Sequence, residues 1–405
     1  MSSPRNLIDL ARKIDKTSHK LNDRMVNFLA DLVRIKSYTG DEGLAVERTL
    51  QELKAIGCDK VWMDSAGNAI GQIGHGKHVI LFDAHLDTNE IADENEWLHP
   101  PLEPVIENGI MYGLGTSDCK GGVAPIVYAG AIIKELGLAG DFTLLIMGAT
   151  LEEDAEGFAL RSLIEKDGVK PDIALICEAS DLTLRIGQRG RCEIRVRTTG
   201  KATHASHPHL GENAILKMIP IMHAIENMKE TFPSHPVFGK DDQVITLISG
   251  PHTPNTVPSW CEIAIDRRLM SGETMDSILE GIKKVVEPLG GQAWIPDQPV
   301  LTHTGQRLDG PSFYPGFLLP ENSTLLAACQ STHQALWGKP AEVGVWEFST
   351  DATYSAGVAG IPTIGFGPQE SEYCHTPEDQ IDLEKMRKAA AFYALFPFIH
   401  CSEVL

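Results

Sequence analysis

Short apolar runs alternate with helical patterns along most of the chain. Apolar residues recur at helical spacing from about Leu7 to Leu53, and mostly apolar runs of strand length follow at intervals. We predict four strands buried on both faces, at His78–Ala84, Phe142–Thr150, Asp172–Cys177 and Pro362–Phe366, and three further helices, at Gly122–Leu136, Gly157–Lys166 and Leu383–Ile399. Strands that alternate with helices indicate an α/β domain, in which helices sandwich a mixed, largely parallel sheet.

The middle of the chain has a different pattern. Alternating and apolar stretches predict strands at Arg191–Thr199, Val244–Ser249 and Cys261–Leu269, with helices at Glu212–Met228 and Met275–Val286. Antiparallel pairing of these strands is typical of a compact α+β unit. We therefore predict a discontinuous main domain (residues 1–186 and 305–405), interrupted by an inserted domain (residues 187–304).

Charge and composition exclude some classes of partner. The 405 residues include 35 Lys and Arg against 55 Asp and Glu, a formal charge of −20. Phosphate backbones and anionic membranes repel such a chain, so we expect neither nucleic acid nor membrane as a partner. The N-terminus is polar, and the eight cysteines are scattered without a C-x-x-C pair. We expect a soluble, cytoplasmic protein with free thiols.

Imidazole and carboxylate groups follow the predicted buried strands. His85 and Asp87 come after the first strand, Glu152 and Glu153 after the second, and Glu178 after the third. Ligands of open α/β sheets gather at the carboxyl ends of strands, so we expect these groups to lie together. Each motif alone is also compatible with a polar loop or an exposed acidic turn.

Two more candidates lie in loops. Asp118 lies in the glycine-rich segment 115–122, and His375 follows Cys374 near the C-terminus. Two adjacent carboxylates such as Glu152 and Glu153 repel each other, and a cation beside them removes that cost. Nitrogen and oxygen donors of this kind suit zinc, and also manganese or cobalt. The neighbouring Cys119, Cys177 and Cys374 are interpreted as small buried thiols rather than ligands.

The ordered set of motifs resembles a known enzyme family. His85-Leu-Asp-Thr88, Gly115–Gly122, Glu152-Glu153, Glu178 and Cys374-His375-Thr-Pro-Glu378 are similar to the co-catalytic metallopeptidases that include acetylornithine deacetylase, succinyl-diaminopimelate desuccinylase and glutamate carboxypeptidases. The segments 346–350 and 365–368 also resemble a bacterial branch linked to selenium and purine metabolism.

The resemblance implies roles for these residues. The main domain would be catalytic and would bind two divalent metal ions, zinc most suitably. Asp118 would bridge the metals, His85 and Glu178 would complete one shell, and Glu153 and His375 the other. Asp87 would orient His85, and Glu152 would be the general base. The resemblance also implies a cis peptide between Asp118 and Cys119.

The inserted domain carries a further resemblance, to the lid of this family. His204 matches the histidine that stabilises an oxyanion, which in dimeric relatives reaches the neighbouring subunit's site. Asn255 and Arg268 match positions that hold a substrate carboxylate, and Thr350 in the main domain is a third candidate for substrate binding. A surface histidine-rich loop and a surface pair of Asp266 with Arg268 are the alternatives. We expect a homodimer formed through the inserted domain.

The predicted function is hydrolysis of an amide bond in a small N-acyl amino acid or short peptide with a free carboxylate. The alternatives within the family are an N-carbamoyl or ureido amino acid amidohydrolase and a dipeptidase or carboxypeptidase. Glu178 favours the deacylases and carboxypeptidases, because relatives acting on carbamoyl compounds tend to carry His there. Two hypotheses come from other functional classes: a non-catalytic binding protein, and a metal-independent serine or cysteine hydrolase. The first fits poorly because all the catalytic residues are present, and the second because no G-x-S-x-G elbow occurs.

Overall fold

The computed structural model describes residues 4–403, with side chains from 7 to 402. The helices of this part are α1 (Pro4–Arg34), α2 (Gly43–Ala55), α3 (Lys120–Glu135), α4 (Phe158–Glu165), α5 (Ala214–Met228), α6 (Met275–Val286), α7 (Thr324–Trp337), α8 (Ala352–Ser355) and α9 (Leu383–Glu403). Within these bounds, no helix is both long and apolar enough to cross a membrane. The cytoplasmic location stays a prediction.

The strands are short, and most of them belong to two sheets. They are β1 (Lys60–Met63), β2 (Ala69–Ile73), β3 (His78–His85), β4 (Val105–Glu107), β5 (Ile110–Tyr112), β6 (Phe142–Ala149), β7 (Ile173–Ile176), β8 (Leu184–Gln188), β9 (Gly190–Thr199), β10 (Ser234–His235), β11 (Gly239–Lys240), β12 (Gln243–Ser249), β13 (Trp260–Leu269), β14 (Gly291–Trp294), β15 (Val300–Leu301), β16 (Arg307–Leu308), β17 (Phe313–Tyr314), β18 (Phe317–Leu318), β19 (Val343–Trp346), β20 (Thr363–Gly365) and β21 (Gln380–Asp382).

The central sheet confirms the α/β prediction. Its strand order is β1-β2-β6-β3-β7-β20-β8-β18, with β19 beside β8. The run β6-β3-β7-β20 is parallel, so the carboxyl ends of β6, β3 and β7 meet at one edge. Helices α1, α3, α7 and α9 cover one face of the sheet, and α4 and α8 pack on the other.

Side chains on β3 show how alternation builds this core. Ile80 and Phe82 belong to the large hydrophobic cluster under α3 and α9, and Leu81 belongs to the smaller cluster with α4. The ring of Phe82 meets that of Tyr393 edge to face, with centroids 4.7 Å apart. Both faces of β3 are thus apolar until Asp83, after which the polar residues of the candidate site follow.

The long helical pattern predicted from Leu7 to Leu53 is interrupted in the structure. Residues 35–42 leave the helix between α1 and α2 and run beside the loop that follows β3. The Ser37 hydroxyl donates to the carbonyl of Leu86 at 2.7 Å, and the Thr88 amide donates to the carbonyl of Ser37 at 3.0 Å. These tertiary hydrogen bonds take the place of helical hydrogen bonds, and hydrophobic periodicity alone cannot predict them.

The middle of the chain forms a second sheet with the order β12-β13-β9-β14, in which the neighbouring strands are antiparallel. Helices α5 and α6 pack on it and form a separate hydrophobic cluster that includes Ile194, Met218 and Ile282. The division into domains at residues 187 and 304 stays a prediction.

The two sheets meet where backbones cross closely. Only Arg189 separates β8 of the central sheet from β9 of the second sheet. At this crossing, a Cβ added to Gly190 would lie 2.4 Å from the amide nitrogen of Gly316 and 2.2 Å from the carbonyl oxygen of Tyr314. Only glycine permits this approach, so the returning chain packs directly on the outgoing strand.

Another close approach lies beside the candidate site and gives a stability prediction. A Cβ added to Gly122, in the first turn of α3, would lie 2.1 Å from the carbonyl oxygen of Cys177. We expect Gly122→Ala to lower the free energy of unfolding by about 1–3 kcal/mol, because helix and strand end must move apart. Urea denaturation measures this change.

The control for this prediction is Gly281→Ala, in the open interior of α6, where an added Cβ meets no atom within 4 Å. Alanine should stabilise that helix by about 0.5–1 kcal/mol. A Gly122→Ala protein as stable as wild type would show that the approach is not tight.

Candidate active site

Two histidines and three carboxylates converge at the carboxyl edge of the central sheet. His85 Nε2 lies 3.0 Å from Asp118 Oδ1 and 3.2 Å from Glu178 Oε1. His375 Nε2 lies 3.0 Å from Asp118 Oδ2 and 3.1 Å from Glu153 Oε2. The two oxygens of Asp118 therefore join two sets of donor atoms, each with one imidazole and one further carboxylate.

Asp87 holds the neighbouring loops together. Its Oδ1 accepts a hydrogen bond from the Glu152 amide at 3.1 Å, and its Oδ2 accepts one from the Glu153 amide at 3.0 Å. His85 Nδ1 lies 2.9 Å from the Asp87 carbonyl oxygen. This contact leaves His85 Nε2 directed toward the carboxylates, which is how a metal-binding imidazole is usually oriented.

Asp379 fixes the loop that carries Asp118. Its carboxylate accepts hydrogen bonds from the amides of Gly115 and Ser117 and from the hydroxyls of Thr116 and Ser117. The peptide between Asp118 and Cys119 is cis, as the resemblance implied. Asp379 also follows His375 by four residues, so one buried carboxylate ties two of the ligand loops to each other.

Burial and mutual repulsion shift the acids of this cluster. Burial raises the pKa of Glu153 to about 7, and the charge of Asp118 adds to the effect. Burial also raises the pKa of Glu152 well above its ordinary value. For Asp118 burial acts in the same direction, but hydrogen bonds from His375 and His85 outweigh it and lower the pKa.

The histidines shift in the complementary direction. Hydrogen bonds to Asp118 and Glu153 raise the pKa of His375 to about 10. Burial disfavours the charged form of His85, yet the charges of Glu178 and Glu152 raise its pKa well above the ordinary value. A cluster of this composition holds protons at neutral pH unless a cation neutralises it.

The donor set fits divalent metal ions. Imidazole nitrogen and carboxylate oxygen are the ligands that zinc, cobalt and manganese accept. Glu153 Oε1 is buried and has no hydrogen-bond partner among the described residues. Asp118, Glu152, Glu153 and Glu178 carry four negative charges when ionised, which two divalent cations balance with both imidazoles neutral.

The thiols beside the ligands make hydrogen bonds to protein groups. Cys119 Sγ lies within 4.8 Å of donor atoms of His85 and Glu178. However, it donates to the carbonyl of Cys177 at 3.1 Å and accepts from Gln369 Nε2 at 3.4 Å. These partners satisfy a neutral thiol, and burial raises its pKa well above the ordinary value. The described residues contain no disulfide.

A cavity of about 420 Å³ opens beside the cluster. Its walls include Glu152, Arg268, Arg191 and Phe348. Arg268 pairs with Asp266 at 2.9 Å, so the ion pair considered from the sequence exists, and the guanidinium nevertheless borders this cavity.

The other predicted binding residues lie elsewhere. His204 and Asn255 are exposed on loops of the second sheet and do not border this cavity. The Thr350 hydroxyl is buried and donates to Gln188 Oε1 at 2.8 Å, while Phe348 and Ser349 border the cavity instead. The roles of His204, Asn255 and Thr350 stay predictions.

Several residues at the site escaped the sequence prediction. Asn89 Nδ2 lies 2.9 Å from both Glu153 Oε2 and His375 Nε2. Arg191 makes two hydrogen bonds, of 2.8 and 2.9 Å, to the carboxylate of Glu156, which also accepts from Ser349. Asn89 could have been predicted from its place in the sequence, because it follows the H-x-D motif by two residues. No local signal indicates that Arg191 and Glu156 meet.

Comparison with known proteins identifies the family. The model of peptidase family M20/M25/M40 matches residues 81–397, a segment that contains every donor residue of the cluster. The chain belongs to peptidase family M20.

Two relatives of this M20 protein match it over most of their length. It is 35% identical over 378 residues to the uncharacterized protein YgeY of Escherichia coli (strain K12), covering 92% of this chain and 93% of YgeY. It is 25% identical over 371 residues to acetylornithine deacetylase of Aliivibrio salmonicida (strain LFI1238), covering 89% and 93%. The family predicted from the motifs is thus confirmed, whereas the likeness to the selenium-linked branch stays a prediction.

Solved structures of M20 proteins share the fold. The metallo-carboxypeptidase Sso-CP2 from Sulfolobus solfataricus matches with a TM-score of 0.73 at 16% identity, covering 94% of this chain and 99% of that one. The YXEP protein of Bacillus subtilis, a dinuclear metal binding peptidase, matches with a TM-score of 0.67 at 16% identity, covering 93% and 98%. Membership in M20 makes this chain a hydrolase of a metal-dependent family.

The shifted groups predict how stability depends on pH in the metal-free M20 protein. An acid whose pKa is raised in the folded state makes the protein less stable as the pH rises from the acid's ordinary pKa to the folded value. Burial raises the pKa of both Glu153 and Asp351 to about 7. His375 acts in the same direction, because its contribution is complete below 6.5 and is lost toward about 10. We therefore expect a higher Tm at about pH 6 than at about pH 8.

Calorimetry of chelator-treated protein measures this difference, and zinc-loaded protein is the control. Its ligands would hold no proton, so its Tm should change less over the same range. A metal-free Tm that stays constant or increases toward pH 8 would contradict the assigned shifts.

Proposed function

We propose that this protein is a dinuclear-metal amidohydrolase that cleaves a small N-acyl amino acid or short peptide with a free carboxylate. One observation carries the proposal. The two oxygens of Asp118 lie 3.0 Å from one imidazole nitrogen each, and Arg268 borders the cavity that opens from this cluster. Two metal positions and a carboxylate anchor would then face the same substrate.

The residues present would hold two ions of one kind. His85 and Glu178 would bind one ion, Glu153 and His375 would bind the other, and Asp118 would bridge them. When bound, divalent ions act as Lewis acids toward the scissile carbonyl and lower the pKa of the attacking water. Zinc is the first choice for this donor set, with cobalt or manganese as substitutes.

Glu152 would move the proton. Its Oε2 lies 3.7 Å from His85 Nε2, and its side chain borders the cavity. A carboxylate there can accept a proton from the attacking water and deliver it to the leaving nitrogen. Asp87 accepts a hydrogen bond from the Glu152 amide and so helps to fix the backbone that carries this carboxylate.

Arg268 would select substrates with a free carboxylate. A guanidinium presents a fork of N–H donors that matches a carboxylate, and Asp266 occupies only part of it. Asn255 would assist once the inserted domain closes over the substrate. Phe348 borders the same cavity and would contact an apolar side chain of the substrate.

A second cavity favours the dipeptidase alternative. It has about 170 Å³ and shares Asp118, Glu153 and His375 with the first cavity. Its remaining walls include Trp97 and the acidic residues Glu90, Asp93 and Glu96. A substrate held at the cluster would extend into both cavities, and an amino terminus would find complementary charge in the second.

The second sheet offers a surface for the predicted homodimer. Strand β12 lies at the edge of this sheet, and Leu247 and Ile248 on it are 58% and 59% exposed. Leu216 and Ile219 of the adjoining α5 are exposed as well. A long, uncharged, apolar edge is the kind that pairs with a copy of itself, and the partner's His204 could then enter the site.

A substrate panel tests the proposed function. We expect zinc-, cobalt- or manganese-loaded protein to hydrolyse members of a panel of N-acetyl, N-succinyl and N-carbamoyl amino acids and dipeptides. On the best substrate, Arg268→Leu should lower kcat/KM by about 10–100-fold, the value of a hydrogen bond to a charged group. The carboxamide analogue should already be slow and should not respond to this change. Arg307→Leu, at an exposed ion pair with Asp309, is the matched control.

Failure of the whole panel in every metal would refute the proposed function. If Arg268→Leu lowered kcat/KM equally for the acid and the carboxamide, Arg268 would not be the carboxylate anchor. The proposed hydrolysis itself would still stand.

Mixing two inactive variants tests the dimer. Glu152→Gln should lower kcat by about 10²–10⁴-fold with metal retained, and His204→Ala should also be nearly inactive. If each site takes His204 from the partner, a mixed dimer contains one intact site, so a re-equilibrated equal mixture regains about a quarter of wild-type activity. Asp154→Asn, at the next exposed carboxylate of the same turn, is the control for Glu152→Gln. If both variants are inactive and their mixture regains no activity, His204 acts in its own subunit's site and the shared site is refuted. An active His204→Ala protein would remove His204 from the site.

A further inference from the structure

Glu42 is a fully buried carboxylate that the proposed mechanism does not use. It stands at the N-terminus of α2 and ends the segment 35–42 that interrupts the predicted helix. Its Oε1 accepts hydrogen bonds from the amides of Gly40 at 2.9 Å and Leu151 at 3.1 Å. Its Oε2 is buried without a partner among the described residues. A buried carboxylate at this cost needs a reason in the structure.

Leu151 is the residue directly before the candidate base. Its backbone has a φ of 68°, a left-handed conformation that is unfavourable for a branched side chain. The turn it forms places the next two amides on Asp87, where Glu152 and Glu153 donate at 3.1 and 3.0 Å. Three successive amides of this turn therefore point at two carboxylates, Glu42 and Asp87.

The same segment also contacts the His85 loop. Thr39 donates its hydroxyl to Asp87 Oδ2 at 2.9 Å, and Ser37 exchanges hydrogen bonds with Leu86 and Thr88. The segment 37–42 is thus bonded to both loops that carry the candidate catalytic groups. Within this segment, Glu42 contacts the turn beside Glu152, because it accepts the hydrogen bond from the Leu151 amide.

We propose that Glu42 is a positioning residue that holds the Leu151 amide and thereby sets the place of the Glu152 carboxylate. The inference rests on the proposed role of Glu152 as general base. Without Glu42, the Leu151 amide is buried with no acceptor, and the turn relaxes from its left-handed conformation. The Glu152 carboxylate then moves relative to the substrate, although the Glu152 and Glu153 amides keep Asp87 as acceptor. Asp379 still fixes the loop that carries Asp118.

The test compares Glu42→Ala and Glu42→Gln with Glu52→Ala in the metal-loaded full chain. Glu52 is a matched control because it is also nearly buried, lies on the same helix, and bonds Arg48 and Tyr128 away from the site. Glu42→Ala should lower kcat by about 10–100-fold with KM changed less than about three-fold, as expected for a misplaced catalytic group. Glu42→Gln keeps an acceptor oxygen and should recover most of that loss.

Glu52→Ala should lower Tm without this loss of kcat, and metal content should match wild type in all three variants. Equal kcat in Glu42→Ala and wild type would overturn the proposal. So would a kcat loss that only follows loss of metal, or one that glutamine does not relieve.

Hydrogen exchange separates this inference from the proposed function. Peptides that cover residues 150–154 should exchange faster in Glu42→Ala than in wild type or Glu52→Ala, because the Leu151 amide has lost its acceptor. This readout does not need turnover. If wild type hydrolyses nothing in the panel, the proposed function fails, and faster exchange still supports the anchoring of the turn by Glu42. Unchanged exchange would overturn that anchoring whatever the activity.

Discussion

The repulsion among buried carboxylates at the edge of the central sheet constrains everything around it. Asp118, Glu153 and Glu178 lie within hydrogen-bond distance of only two imidazoles. Such a cluster is tolerable only when its backbone is fixed and its charge is balanced. Asp87 and Asp379 supply the first condition through hydrogen bonds from loop amides. Divalent metal ions would supply the second, and folding would then be linked to metal binding.

The fold meets these requirements through the parallel strands of the central sheet and the carboxylates that bind loop amides. Parallel strands β6, β3 and β7 end together, so His85, Glu153 and Glu178, which are distant in sequence, arrive at one edge. The acceptors that fix the loops are themselves carboxylates, which adds buried charge but orients the amides of Gly115, Ser117, Glu152 and Glu153. The 37–42 segment extends this pattern outward, since Thr39 and Glu42 bind the loops that Asp87 joins.

The sequence predicts the ligand cluster better than its surroundings. Buried strands and their polar ends are local signals, and His85, Glu153 and Glu178 lie where those signals place them. The interruption of the first helical pattern at residues 35–42 depends on bonds to Leu86 and Thr88, which no local pattern reports. The pairing of Arg191 with Glu156 is likewise a tertiary contact. The Thr350 hydroxyl donates to Gln188, which is also a tertiary contact that no local pattern indicates.

The backbones of Gly190 and Gly316 cross closely where the second sheet joins the central sheet, so this crossing is the point about which the second sheet could turn. Arg191 and Arg268 face each other one residue beyond it, at the near end of β9 and the far end of β13. His204 follows the other end of β9, about 30 Å away along an extended strand of ten residues. Any rotation of the second sheet about the crossing would therefore displace the arginines little and His204 greatly. If the inserted domain closes as proposed, a bound carboxylate would stay in place at Arg268, while His204, which the proposed dimer brings to the partner subunit's site, would move the furthest.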